Sequence, residues 1–322
     1  MSLKDNIRQK LENSAEFVSG EELAREFSVS RAAVWKAVKK LKDDGCVIDS
    51  VSNKGYRLVK PADVLSREEI KANFDKYSDS LDVIVLETVD STNNEAKRML
   101  ANGFADNALI LANEQTGGRG RLGRSFYSPK NTGIYMTFLV HTSLQLSSAV
   151  TVTTAASVAV VRALESVTDT KPEIKWVNDV YINGKKVCGI LTEAVSDFET
   201  GTAAALIIGI GINITTEDFP DEIKDRASSV GALSPVRNKL AAQVANELMY
   251  ICEDLNDRSR FIDCYKSRSM IIGKDIDFYI NNEKQSGKAI DIDDFGALIV
   301  TLPDGSQKTL SSGEVTVRLM DN

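Results

Sequence analysis

Between Gly117 and Arg124 the chain reads Gly-Gly-Arg-Gly-Arg-Leu-Gly-Arg, four glycines and three arginines in eight positions. Glycine lets a backbone turn sharply and approach a ligand closely. Arginines separated by one or two residues can converge on phosphate or carboxylate oxygens through forked hydrogen bonds. Such a loop suits an anionic, phosphorylated intermediate; a flexible, solvated basic loop is the plain alternative. Three further segments carry polar groups where they could do chemistry. Asp90-Ser91-Thr92-Asn93 sets four small polar side chains where a strand passes into a helix. They can bind a polar heterocycle, or simply cap the helix. In the run Lys175-Trp176-Val177-Asn178-Asp179-Val180, a carboxamide and a carboxylate sit in what reads as an apolar strand. Buried polar groups cost stability unless paired, which favours a functional reading. The strand then turns at Asn183-Gly184, a strong hairpin signal, and delivers Lys186 into the next one. Ile208-Gly209-Ile210-Gly211-Ile212-Asn213 ends an apolar strand with glycines and an amide. That signal is weak alone, because a strand glycine can mark only a bulge.

The elements that position these residues alternate along the middle of the chain. Strands are predicted over 81–89, 108–114, 133–140, 187–195 and 203–212, and helices over 94–102, 146–167, 236–256 and 260–267. Together they predict a mixed α/β domain with a sheet large enough to bury a core. From Gly273 onward, short alternating runs over 274–280, 288–292, 297–302 and 315–319 are separated by turns at Asn281-Asn282 and Pro303-Asp304-Gly305. They predict a small β-barrel.

Composition narrows the function classes. The 322 residues fit two or three domains, and 43% hydrophobic with 26% charged residues gives a globular protein with a real core. No apolar run is expected to reach the roughly 18 residues of a membrane span, and no secretory signal opens the chain. The scattered Cys46, Cys188, Cys252 and Cys264 have no metal-ligand spacing and suit thiols in a reducing cytosol. His141 is the single histidine, so chemistry built on a histidine base or a histidine-rich metal site is not expected. His141 itself reads as a strand-end residue.

Charge is unevenly placed. Residues 1–60 hold 12 Lys and Arg against 9 Asp and Glu, a net of +3, whereas the rest of the chain nets −10. A mildly basic head on an acidic body suggests a nucleic-acid-binding module. Ser19-Gly20-Glu21-Glu22 is a capping-box pattern before a short helix that would bury Leu23, Ala24 and Phe27. After the Ser28-Val29-Ser30 turn, Ser30 can cap a second helix from Arg31 to about Asp43, with Val34, Val38 and Leu41 facing inward. Trp35 and the basic Arg31, Lys36, Lys39, Lys40 and Lys42 fill its other faces. This is helix-turn-helix patterning, whose second helix enters the major groove. Residues 46–51 and 53–58 then read as a hairpin with Lys54-Gly55 near the turn, which makes a winged helix. Ser30, Arg31, Trp35, Lys36, Lys39, Lys40 and Lys54 are the candidate DNA contacts. A solvated basic helix on a protein-interaction domain is the alternative.

Taken in order, the Asp-Ser-Thr-Asn segment, Gln115 with the 118–124 loop, the 175–179 segment, Lys186-Val187-Cys188-Gly189-Ile190-Leu191 and the 209–213 strand end resemble the biotin protein ligases. With the winged helix in front, the whole chain resembles the bifunctional type, ligase and biotin operon repressor. The resemblance implies an α+β fold: a winged helix-turn-helix over 1–60, a linker and lead-in helix over 61–80, a ligase domain over 81–270 and an SH3-like barrel over 271–322. It implies two steps, formation of biotinyl-5′-adenylate from biotin and MgATP, then acyl transfer to a lysine of a biotin carboxyl carrier protein. By similarity Ser91, Thr92, Asn93 and Gln115 contact the ureido ring. Arg119, Gly120 and Arg121 close over biotin and the acyl phosphate, with Lys186 at the carboxylate or phosphate. Arg124, Phe126, Asn178 and Asn213 face the nucleotide, whose Mg²⁺ is carried by ATP, and Asp179 orients or deprotonates the amine. Arg119, Arg121, Lys186 and Asp179 form the catalytic set.

The resemblance further implies operator DNA as a partner, a homodimer when the adenylate is bound, a cytoplasmic location and no membrane. Three positions depart from the family pattern: Val177 in place of Pro, Phe126 in place of Trp, and Leu122 in place of a frequent Arg. The alternatives are a lipoate or octanoyl ligase of the same fold and a biotin-sensing regulator without catalysis.

Overall fold

The computed structural model describes the chain apart from residues 1, 44, 61–62, 143, 146–147, 197–201, 232–234, 281–282, 312–315 and 320–322. It divides into two compact units, one of Met1–Val64 with Leu233–Arg237 and one of Leu65–Ala232 with Asn238–Asn322.

The first unit holds α1 (Leu3–Glu12), α2 (Gly20–Glu26) and α3 (Arg31–Asp43), then β1 (Val47–Val51) and β2 (Gly55–Lys60). Helix α1 was not expected from the sequence; it starts in a capping box between Ser2 and Asp5 and buries Ile7 and Leu11. Ser19 Oγ accepts from Glu22 N at 3.0 Å. The Glu22 carboxylate faces Lys10 Nζ at 3.9 Å, so the serine half of the predicted box carries the cap. Ser30 Oγ accepts from Ala33 N at 3.1 Å and starts α3 as expected. Val34, Val38 and Leu41 join Ile7, Leu11, Leu23 and Ile48 in one core, with Ala24 and Phe27 half-buried against it. The wing is a true hairpin, Val51 opposite Gly55. Gly55 has φ +107°, and a side chain there would collide with the Val18 carbonyl.

In the second unit come α4 (Arg67–Ala72), β3 (Asp82–Val89), α5 (Thr92–Ala101), β4 (Ala108–Gln115), β5 (Gly133–His141) and α6 (Ala149–Val167). There follow β6 (Glu173–Lys175), β7 (Asp179–Ile182), β8 (Lys185–Ser196), β9 (Ala203–Asn213), α7 (Arg237–Glu253, whose first residue counts with the first unit) and α8 (Ile262–Ser267). The seven strands form one sheet in the order β3-β4-β5-β9-β8-β7-β6. Only β3 and β4 run parallel. Successive side chains alternate between faces, so Thr137, Ile207 and Gly209 face α5. Ala96 of α5 packs there with Ile110, Leu139 and Ile207. The opposite face carries α6, where Thr153 Oγ1 meets Thr192 Oγ1 at 2.8 Å.

Two expectations change. Helix α6 is 19 residues long and apolar enough, by length and composition, to cross a bilayer, which corrects the reading that no run reaches that length. Yet 72% of its apolar window is buried inside the protein. And the run 175–180 is not one strand: β6 and β7 pair antiparallel, Lys175 opposite Asp179. Trp176, Val177 and Asn178 form the turn between them, with a cis peptide between Trp176 and Val177. Tertiary contacts tie that turn. Tyr265 Oη donates to the Val177 carbonyl at 3.0 Å, and Trp176 Nε1 donates to the Gly296 carbonyl at 2.9 Å.

The tail forms a small antiparallel sheet of β10 (Asp275–Ile280), β11 (Glu283–Ile292), β12 (Leu298–Thr301), β13 (Gln307–Leu310) and β14 (Thr316–Leu319). Their order is β13-β12-β11-β10-β14. Strand β13 was not expected. The Pro303-Asp304-Gly305 turn forms, Gly305 N donating to the Leu302 carbonyl at 2.9 Å; Asn281-Asn282 lies outside the described residues.

Candidate active site

A polar network lies between α5 and the sheet. Ser91 stands at the N-cap of α5 but makes no side-chain cap bond; it is buried, as are Thr92 and Asn93 in the first helical turn. The capping alternative therefore does not account for Ser91. Thr92 N donates to Gln115 Oε1 at 2.8 Å, and Gln115 Nε2 donates to Ser128 Oγ at 2.9 Å. Thr137 Oγ1 lies 2.8 Å from Thr92 Oγ1 and 2.7 Å from Asn93 Oδ1. The Asn93 amide donates to Glu193 Oε2 at 2.9 Å. Gly209 makes this arrangement possible, since a Cβ there would overlap the Asn93 side chain. Burial would raise the Glu193 carboxyl, but hydrogen bonds from Lys97 and Asn93, helped by the Lys97 and Arg119 charges, hold it below its ordinary value.

The glycine-arginine loop folds on itself next to this network. Gly117 N donates to the Asp90 carbonyl at 2.7 Å, and Phe126 N to the Gly118 carbonyl at 2.9 Å. Gly118 must be glycine because a Cβ would strike the Phe126 carbonyl. At the tip, Leu122 has φ +55° and is exposed, an unusual conformation for a leucine. Arg119 Nη1 donates to Asn94 Oδ1 at 3.1 Å and lies 3.7 Å from Glu193 Oε1. Arg121 Nη1 donates to Asn178 Oδ1 at 3.1 Å, so the loop reaches the β6–β7 turn. Burial lowers the Arg121 guanidinium from its ordinary value while Asp179 opposes the shift. Arg124 is exposed at the end of the loop.

On the hairpin side, Lys186 Nζ lies 2.6 Å from Asp179 Oδ1. Asn178 Nδ2 donates to the Ile190 carbonyl at 2.8 Å, and Ile190 N to the Asn178 carbonyl at 2.9 Å, which fixes the turn against β8. Burial, with Asp179 adding to it, pushes the neighbouring Tyr181 phenol up to about 12. Burial likewise raises the Cys188 thiol, which leaves it without nucleophile character.

Gly189 and Gly211 lie opposite one another on β8 and β9, and the Phe126 ring rests on both. A Cβ on Gly211 would be 2.5 Å from Phe126 Cε1, and one on Gly189 3.3 Å from Cε2. The glycines of the 208–213 run thus mark close approach rather than a bulge. Asn213 ends β9; its Nδ2 donates to the Ser228 carbonyl at 3.2 Å, while its buried Oδ1 has no hydrogen-bond partner among the described residues.

In the first unit, Arg31, Trp35, Lys36, Lys39 and Lys40 lie exposed on α3, and Lys54 is exposed in the wing turn. Trp35 is 56% exposed, with Lys39 Nζ 5.6 Å from its ring centroid. A large aromatic in water beside cations suits a surface that meets a polyanion.

Residues 4–57 match the profile of the HTH domain, 85–213 that of the Biotin/lipoate A/B protein ligase family, and 271–318 that of the Biotin protein ligase C terminal domain. The chain is 33% identical over 318 residues to the bifunctional ligase/repressor BirA of Bacillus spizizenii, an alignment covering 96% of this chain and 97% of that protein. The chain belongs to the bifunctional ligase/repressor BirA family. It is also 30% identical over 235 residues to the biotin–(acetyl-CoA-carboxylase) ligase of Mycobacterium tuberculosis, 70% of this chain and 85% of that one. Among solved structures, the biotin protein ligase from Aquifex aeolicus in complex with biotin and ATP superposes with a TM-score of 0.62 at 28% identity, covering 74% of this chain and 99% of that chain.

Within this BirA-family fold, sequence reasoning did not single out Thr137, Glu193, Ser128 or Lys97. Thr137 is set among the apolar side chains of β5, and Glu193 lies with Thr192 in the otherwise apolar stretch 187–195 of β8. That isolation was the signal available, and it is the same signal that drew attention to Asn178 and Asp179.

Proposed function

We propose that this chain is an ATP-dependent biotin–protein ligase that also binds DNA as a biotin-responsive repressor. It forms biotinyl-5′-adenylate and pyrophosphate, then passes the biotinyl group to a lysine of a biotin carboxyl carrier protein. The observation that carries the reading is the meeting of the glycine-arginine loop with the β6–β7 turn, Arg121 on Asn178, beside the Lys186–Asp179 pair. The names of the relatives support it.

The biotin ring would lie against Ser91, Thr92, Asn93 and Gln115, which offer a polar heterocycle the hydrogen bonds that a lipoyl or octanoyl chain could not use. The biotin carboxylate oxygen attacks the α-phosphorus, the bond to the departing pyrophosphate breaks, and the mixed anhydride remains. Arg119, Arg121, Arg124 and Lys186 offset the negative charge that this step gathers. Gly120 lets the loop close, and closure keeps water from the anhydride. In the second step the carrier amine attacks the acyl carbon, AMP leaves, and Asp179 receives the amine proton. Phe126 offers its ring face to the adenine, and Asn178 and Asn213 face the nucleotide.

Among the described residues no three His, Cys, Asp or Glu side chains group to hold a metal. The partnerless Asn213 Oδ1 fits a hard cation, so Asn213 and the nucleotide phosphates would hold Mg²⁺, which supplies charge neutralisation. The free thiols of Cys188, Cys252 and Cys264 suit a reducing cytoplasm. The same reading takes the domain bounds at 60, 80 and 270. It gives operator contacts to Ser30, Arg31, Trp35, Lys36, Lys39, Lys40 and Lys54. It also makes the adenylate-bound chain a two-fold dimer reading an inverted repeat. The test is incubation with biotin, MgATP and a carrier domain; a carrier lysine that gains no biotin sinks it.

A further inference from the structure

The network under α5 has a direction, and it can be traced from one end. A carboxylate only accepts hydrogen bonds, so the Asn93 group 2.9 Å from Glu193 Oε2 is the amide nitrogen. The Leu191 carbonyl, 3.5 Å from the same nitrogen, asks for the same orientation. Asn93 Oδ1 then faces the Thr137 hydroxyl at 2.7 Å. An amide oxygen also only accepts, so Thr137 spends its single proton there. Thr137 Oγ1 lies 2.8 Å from Thr92 Oγ1 and, its proton committed, accepts from Thr92. Gln115 Oε1 takes Thr92 N at 2.8 Å and keeps a second lone pair 3.1 Å from the Thr92 hydroxyl, so both neighbours of that hydroxyl draw on its one proton. Thr92 is left with lone pairs and no proton to give a ligand.

We propose that Glu193 is a specificity-determining positioning residue: through Asn93 and Thr137 it fixes Thr92 as a hydrogen-bond acceptor, so the site selects a ring that presents an N–H there. The proposal rests on the biotin-ligase reading, since a ureido ring carries such N–H groups. Lys97 Nζ, 2.7 Å from Glu193 Oε1, keeps the carboxylate charged and in place. A ring with an oxygen at that point would set lone pair against lone pair. Sites built around a ligand N–H reject analogues lacking it for this reason. A glutamine at 193 could turn either end of its amide to Asn93, after which Asn93, Thr137 and Thr92 could all reverse.

The test is calorimetric binding to the full chain of biotin and of its two cyclic carbamate analogues, each with one ureido N–H replaced by oxygen. The unaltered chain should prefer biotin over one of them by about tenfold or more, the worth of one hydrogen bond lost and one repulsion gained. Glu193→Gln should bring that preference close to unity, and so should Thr137→Val, which keeps the charge and removes the relay. If one variant fails to fold, the other decides. An unchanged preference overturns the proposal. So does equal weakening of all three ligands, or failure of both variants to fold, since either reduces Glu193 to a structural residue. Absence of biotin binding by the unaltered chain would instead bring down the ligase reading beneath it.

Discussion

Lys186 Nζ and Asp179 Oδ1 lie 2.6 Å apart across the β7–β8 hairpin, so the cation assigned to the acyl phosphate and the candidate base neutralise one another. An anion drawing on Lys186 would loosen its hold on Asp179 and leave that carboxylate to receive a proton. Substrate arrival and base activation would then be one event.

Asp179→Asn should therefore slow acyl transfer from preformed adenylate by about 10²-fold or more, in the range of a lost general base. Adenylate formation should suffer less. Single-turnover measurement of each half-reaction separates the two, and equal slowing of both would argue against the assignment.

Removing the Arg121 side chain breaks the link between the loop and Asn178. Arg121→Gly should release adenylate and let it acylate lysines on unrelated proteins. Labelling of a mixed protein pool by mass spectrometry reads this directly; labelling still confined to the carrier would contradict the role given to the loop.

Gly209→Ala would push a methyl group into Asn93. Overpacking of this kind costs about 1–3 kcal/mol, and here it also displaces a residue of the proposed ring pocket. Thermal melting should register the first effect and a biotin dissociation constant raised at least about tenfold the second. A variant with unaltered biotin affinity would show that Asn93 does not matter for the ring.

Acid should weaken the fold through Glu193. Its folded value lies below the ordinary 4.5 because hydrogen bonds from Lys97 and Asn93 outweigh the opposite push of burial. A carboxyl lowered in the folded state contributes fully above its unfolded value and loses that contribution as the pH falls through the folded one. Urea midpoints should fall as the pH drops below about 4.5, and Glu193→Gln should flatten that limb. Superimposable curves for the two proteins would remove Glu193 from the account.

On the DNA side, Lys36→Ala and Lys39→Ala should each weaken binding across all sequences and reduce the slope of log affinity against log salt by about one. Fluorescence anisotropy over a salt series gives the slope. No change in slope would place α3 away from the phosphates.

Local chemistry made much of this readable in advance. Ser30 caps α3 through a bond to the amide three residues on, which needs no partner from elsewhere in the chain. Asn183-Gly184 turns because both residues tolerate positive φ, and they adopt +52° and +74°. What stayed hidden depends on partners far along the chain. Thr137 and Glu193 acquire meaning only once β5, β9 and β8 are neighbours. The 175–180 run reads as a strand because Trp176, Val177 and Val180 favour strands and no Gly or Pro interrupts them; Tyr265 and Gly296, which hold it bent, are 88 and 120 residues from their partners. Strand β13, Gln307–Leu310, is too polar to announce itself and is recruited by β12. Helix α1 offers Leu3, Ile7 and Leu11, too few to announce an amphipathic face, to a core whose largest share comes from α3.

The indole N–H of Trp176 ends on the Gly296 carbonyl, in the loop joining β11 to β12, and that loop is pressed so close to α6 that a side chain at 296 would collide with Thr154. The small terminal sheet is therefore fastened at one loop both to the turn that carries Asn178 and to α6, and is no detachable ornament. Chimaeras that exchange it between related enzymes should work only when this indole–carbonyl clasp is carried across intact.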